Sequence, residues 1–241
     1  MNSDRKIAVV TGVIFIIATV AALVAAPVDS LLTGTDYLIK VSANASQVTA
    51  GALFYLIAAF TSVSIAISLY PVLIKWNAGL ALSSVVFRSI EAVMYIAAVV
   101  SLLSLLTLSQ QSANAGVADR ALLQAIGDSL RSVRDHATLS AVFAFSLGAF
   151  SYYYVFFQSR LVPRWLSGWG IAASILMLTA CFLSLFGDSP VTGYALLILP
   201  IALQEMVLAV WLIVKGFNSS AIASESAKTN MKAEKASLSA A

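Results

Sequence analysis

Three charged side chains fall where charge is costly. Arg88 and Glu91 sit in one long apolar run and Glu205 in another. An ion in hydrocarbon costs about 2.5–3.5 kcal/mol on insertion scales, so such residues turn to the protein interior and find partners. At the helical rise of about 1.5 Å per residue, Arg88 lies roughly 12 Å and Glu91 roughly 17 Å from the basic end of their run, and Glu205 roughly 15 Å from the same side of its own. All three share one layer near mid-membrane. Arg88 and Glu91 are three apart and occupy one helix face. A planar guanidinium can also grip a second carboxylate, which opens a network in which Arg88 bridges Glu91 and Glu205. Gln204, Ser84 and Tyr95 are polar neighbours one residue or one turn away, and Pro200 lies one turn before Gln204.

A compensated cluster of this kind is a staple that fixes helix register. The formal sum of Arg88, Glu91 and Glu205 is one negative charge, so either a Glu is protonated or a cation is missing. The leading expectation is therefore a cluster that organises the bundle and binds a small amphiphilic or cationic ligand. A proton-coupled small-molecule transporter, with Glu91 or Glu205 titrating as its exposure changes, is the first alternative. An intramembrane enzyme on a lipid or isoprenoid, with one of these Glu residues as general acid, is the second. The balance leans away from an enzyme: no metal-binding H-E-x-x-H, P-loop, dinucleotide fingerprint or G-x-S-x-G occurs. No cofactor or metal is expected either, because His136 has no second His and Cys181 no second Cys.

The elements that must position these residues follow from composition. Of 241 residues 60% are hydrophobic and only 10% charged, against about 25% charged in soluble domains. A mean hydropathy of +0.93 fits a surface that meets lipid. The net charge of +3 comes without a basic stripe, which excludes a nucleic-acid partner. Six stretches reach the roughly 20 apolar residues that cross a bilayer, at about 7–26, 49–74, 80–108, 137–157, 165–185 and 193–214. The expected fold is an all-α, polytopic transmembrane helix bundle over residues 1–217, with membrane lipids as partners; a homo-oligomer is compatible with it. The first span exceeds a signal h-region in length and is read as uncleaved.

With six spans, both termini share a side. That side holds Arg5, Lys6, Lys75, Arg160, Arg164, Lys215, Lys228, Lys232 and Lys235, while the other holds Lys40, Arg120, Arg131 and Arg134 among six acids. Basic loops stay in the cytoplasm, so both termini are expected on the cytoplasmic side. Tyr152, Tyr153 and Tyr154, with Trp165 and Trp169 beyond a basic turn, read as headgroup-level anchors. Residues 109–136 read as an outer loop with an amphipathic helix, from Leu122, Ile126, Leu130 and Val133 at helical spacing. Residues 27–48 form a shorter outer loop. The Ser/Ala/Lys-rich stretch 218–241 reads as a disordered cytoplasmic tail. Ala144 with Gly148, and Gly170 with Ser174, are small pairs that let helices approach. The mid-span Glu residues of the third and sixth spans hint weakly at an inverted repeat.

Three blocks carry a resemblance: Phe87-Arg-Ser-Ile-Glu91, Ser159-Arg-Leu-Val-Pro-Arg-Trp-Leu-Ser-Gly-Trp-Gly170, and Leu203-Gln-Glu-Met-Val-Leu-Ala-Val-Trp-Leu-Ile-Val-Lys-Gly-Phe217. Through them the chain resembles a bacterial family of integral membrane proteins known as domain-of-unknown-function family 4386. The resemblance spans about Arg5 to Phe217. It implies a multi-helix bacterial membrane protein and brings no activity with it.

Overall fold

A computed structural model describes residues 3–113 and 115–224, together with 227 and 231. The described residues are helical, with no strand among them. The helices are α1 (Ser3–Ala25), α2 (Pro27–Leu31), α3 (Tyr37–Ala43), α4 (Ala45–Leu73), α5 (Ala78–Ala113), α6 (Val117–Ser159), α7 (Arg164–Phe186) and α8 (Ala195–Val214), with a 3-10 turn at Val191–Tyr194. Six of these segments are long and apolar enough to cross a membrane. Helix is what such sequence allows in lipid, because every backbone polar group is then bonded within its own segment.

The six long helices form a ring in chain order. α1 packs on α4, α4 on α5, α5 on α6, α6 on α7, α7 on α8, and α8 returns to α1. α5 and α8 therefore stand opposite one another. The ring's outer face is apolar, with Phe60, Val93, Val100, Leu203 and Val210 among the exposed side chains. The start of α1 and the end of α8 sit at one end of the bundle. The Arg5 guanidinium donates to the carbonyls of Leu212 at 2.9 Å and Ile213 at 2.6 Å, and Lys75 pairs with Asp4 at 3.3 Å.

Residues 109–136 are mostly regular helix, continuous with the long helices on either side. α5 runs on to Ala113 and α6 starts at Val117, and the two pack side by side as one long hairpin. At 43 residues α6 is roughly 65 Å long, about twice the hydrocarbon thickness. The stripe that suggests an amphipathic surface helix mostly turns the other way, with only Leu130 of its four members on the packed face. Leu122, Ile126 and Val133 are exposed, whereas Leu123, Gly127, Leu130 and Arg134 form the packed face. Helical period is legible from spacing, but an apolar stripe faces inward only when water surrounds the helix. The 27–48 segment likewise holds two short helices. α3 lays Tyr37, Leu38 and Val41 against Leu102, Leu105 and Leu108 of α5.

The tail begins as helix as well. Residues 219–224 are helical, started by Asn218, whose Oδ1 accepts from the Ser220 N–H at 3.1 Å as an N-cap does. The rest of the expected disordered tail lies outside the described residues.

Close approach is set by small residues, since lipid offers no hydrophobic drive between helices. An ideal Cβ at Gly12 would lie 2.7 Å from the Ala209 carbonyl, so α1 and α8 touch there. At Gly170 a Cβ would sit 2.5 Å from the buried Tyr153 ring. Alanine ordinarily favours a helix over glycine by about 1 kcal/mol, yet here a rigid ring must move. Gly170→Ala is expected to lower stability by about 1–3 kcal/mol, while Gly116→Ala, with nothing within 4 Å, leaves it unchanged. Reversible unfolding of the purified protein in mixed micelles checks this; equal stability of the two variants would contradict the packing described.

Candidate functional site

Arg88 points into the ring and is 1% exposed, among the largest fully buried side chains. Its Nη1 donates to Glu91 Oε2 at 3.2 Å and to Ser62 Oγ on α4 at 2.9 Å. Its Nη2 donates to Tyr152 OH on α6 at 2.8 Å and to Glu205 Oε1 on α8 at 3.2 Å. Ser62 Oγ in turn donates to Glu91 Oε2 at 2.7 Å, and Tyr152 OH to Glu205 Oε1 at 3.4 Å. The Phe145 ring lies 4.0 Å from the guanidinium carbon, so an aromatic face covers the cation. One side chain thus ties α4, α5, α6 and α8 together across the interior.

These bonds are unevenly shared. Every hydrogen bond that Ser62 and Arg88 make to Glu91 falls on Oε2, and those of Arg88 and Tyr152 to Glu205 fall on Oε1. The other oxygen of each carboxylate takes nothing from these partners. Arg88 Nε and, one turn away, Ser84 Oγ are buried without a hydrogen-bond partner. Thr19 of α1 is buried on the Glu205 side of the cluster.

The sequence-predicted residues divide. Arg88, Glu91 and Glu205 meet directly. Gln204 joins a neighbouring pair of contacts: its Oε1 accepts from Tyr153 OH, and its Nε2 donates to the Leu166 carbonyl of α7 at 3.1 Å. Ser84 lies beside the cluster but bonds to none of it. Tyr95 turns away, stacking on Tyr55 with ring centroids 6.5 Å apart. Tyr152 and Tyr153 are not headgroup anchors. Both are fully buried, and only Tyr154 of the three is exposed. The signal for this is the small-residue row Ala144–Gly148, which continues at four-residue spacing to Tyr152 and so marks that face as interior.

A second buried ion pair lies toward the other end of the bundle, among residues whose sequence positions suggest a solvated loop. Arg134 is 4% exposed. Its Nη2 donates to Asp29 Oδ1, and Nη1 lies 3.5 Å from Asp135 Oδ1. Tyr55 OH donates to both oxygens of Asp29 at 3.1 Å. This pair joins the short helix α2 to α4 and α6. Nothing in local sequence pairs residues 29 and 134. His136 sits inside α6, exposed, with Nδ1 2.7 Å from the Ser132 carbonyl. Among the described residues no three His, Cys, Asp or Glu side chains converge as metal ligands would.

Six membrane-length apolar helices closed around a buried Arg/Glu network are the architecture of a polytopic membrane protein. The chain belongs to the family described as domain of unknown function DUF4386, whose model matches residues 10–216. No curated protein and no solved structure matches it.

The contrast between buried and exposed pairs is testable. Removing Asp29 leaves Arg134 buried without its closest partner, which costs about 3–5 kcal/mol in such settings. Lys40 beside Asp36 donates to its carboxylate and holds it below the usual range, but both side chains lie in water. Asp29→Ala is expected to destabilise strongly and to do so equally at low and high salt. Asp36→Asn leaves unfolding unchanged. Equal small effects would place Arg134 in solvent.

Proposed function

We propose that this chain is a multi-pass protein of the bacterial inner membrane, with both termini cytoplasmic, whose central Arg88/Glu91/Glu205 cluster locks the ring and binds a small cationic or amphiphilic ligand. The observation that carries the reading is the imbalance at the centre: two carboxylates face one guanidinium, and each keeps an oxygen that the guanidinium does not reach. In a low-dielectric interior a net negative charge demands a counterion or a proton. An ammonium group supplies the missing charge, and its apolar remainder suits the surrounding side chains. The buried donors Arg88 Nε and Ser84 Oγ offer places for a polar atom of the same molecule. Orientation is supported by the clustering of Arg160, Arg164, Lys215, Lys75 and Lys6 at the end where α1 starts and α8 ends.

The organising role and the binding role separate experimentally. Arg88→Ala leaves two buried carboxylates facing each other, so stability in micelles is expected to fall by about 3–5 kcal/mol. Arg88→Lys recovers only part, because an ammonium cannot bond four partners in one plane. For binding, tetraphenylphosphonium serves as a lipophilic cation. The purified protein is expected to bind it saturably, with at least tenfold weaker affinity in Glu91→Gln or Glu205→Gln. Isotherms identical in the native protein and both variants overturn the ligand reading and leave a staple alone.

Orientation has its own test. The native Cys181 is buried, so new cysteines report cleanly. In intact cells a membrane-impermeant maleimide is expected to label Ser112→Cys and not Ser219→Cys; the reverse pattern inverts the topology.

A further inference from the structure

At the end of the bundle where α1 starts and α8 ends, the turn between α6 and α7 faces the exit of α8 across a cavity of 690 Å³. Three cations from three different helix ends line it: Arg160, which follows α6; Arg164, the first residue of α7; and Lys215, which follows α8. All three are exposed. None has an acidic partner among the described residues. Trp211, Asn218 and Ser219 complete the wall with an aromatic ring, an amide and a hydroxyl.

Ordinary structural duties do not account for these cations. A basic residue after a helix normally neutralises the carbonyls of its last turn. On α8 that work is done by Arg5, which reaches the carbonyls of Leu212, Ile213 and Val214, and leaves Lys215 free. Arg164 stands at the wrong end of its helix, where the backbone dipole is positive, and the first turn of α7 has no acid to offset it. Arg164 instead lies over the Phe157 ring, 5.3 Å from its centroid. Arg160 is the one described non-glycine residue in the left-handed region, at φ 57°, a conformation that L side chains adopt at a cost. That strained turn is clamped in place by Asn218, whose N–H donates to the Leu161 carbonyl at 2.9 Å and whose Nδ2 donates to the Arg160 carbonyl at 3.3 Å. Retention of basic loops in the cytoplasm accounts for the sign of these residues. It gives no reason for their convergence on one cavity with no acid among its described lining residues.

We propose that this cavity is a phosphate-binding site, taking the phosphate group of an anionic phospholipid or a free phosphate ion through Arg160, Arg164 and Lys215. Two guanidinium groups and an ammonium match the charge and acceptor geometry of a phosphate oxygen set. The site is separate from the central cluster and does not depend on any ligand there.

The test uses the full-length protein, delipidated in neutral detergent, with phosphatidylglycerol, phosphatidylcholine and inorganic phosphate as probes. Native mass spectrometry follows lipid retention, and the thermal shift follows phosphate. The native protein is expected to bind phosphatidylglycerol at least tenfold more tightly than phosphatidylcholine. The combined variant Arg160→Gly, Arg164→Gln and Lys215→Gln loses that preference; glycine at 160 keeps the left-handed turn. Competition by inorganic phosphate identifies the phosphate group itself as the ligand, and stabilisation by phosphate without lipid selectivity identifies a free anion. Lys6→Gln, a basic residue outside the cavity, leaves binding within twofold. Should the triple variant fail to fold, Lys215→Gln alone is expected to weaken binding about threefold. No binding of either phosphate probe, unchanged binding in the triple variant, or equal loss in Lys6→Gln overturns the proposal.

Discussion

A guanidinium without bulk water must have its charge answered by protein, and that single requirement shapes the middle of this bundle. Arg88 takes two carboxylates, one from its own helix and one from the helix opposite in the ring, and adds hydroxyls from two more. Lipid gives helices no hydrophobic reason to associate, so directional bonds of this sort and close contacts at small residues hold the ring. Around the polar centre the aromatic faces of Phe145 and Tyr152 exclude water and keep the local dielectric low. The interior is thus organised from the charge outward.

Polar chemistry is spread along the bundle axis rather than confined to one spot. Arg88 occupies the middle, Arg134 with Asp29 a position toward one end, and the Tyr55–Tyr95 stack the space between them. At the opposite end Arg5 closes the ring by bonding the last carbonyls of α8. Each arginine works by a different pairing: carboxylates within the ring, a carboxylate from a short crossing helix, and backbone carbonyls.

Much of this was legible in the sequence, for a physical reason. The cost of charge in hydrocarbon makes Arg88, Glu91 and Glu205 conspicuous, and the rise per residue places them at one depth without any knowledge of packing. The number of long apolar helices follows from length and composition alone. What stayed hidden depends on three-dimensional partners. Asp29 and Arg134 lie in polar stretches that read as loop, and only their meeting makes them a buried pair. Tyr152 and Tyr153 stand in an aromatic run beside a basic turn, as interfacial anchors do, yet both turn inward and Tyr152 reaches the Arg88 layer. The stripe from Leu122 to Val133 has the right period, but all of it except Leu130 faces outward, because pattern alone does not tell which face packs.

The continuity of α6 changes how the two ends of the molecule communicate. Between Val117 and Tyr152 runs an uninterrupted helix roughly 50 Å long, and α5 lies alongside it as a brace. Tied to α5 and α8 through Tyr152 and to α2 through Arg134, such a rod moves as one body. A tilt of about 5° at Tyr152 would carry the far tip through roughly 4–5 Å, a distance comparable to a full helical turn. Because Arg134 pairs with Asp29 along the way, any such tilt would have to carry α2 with it.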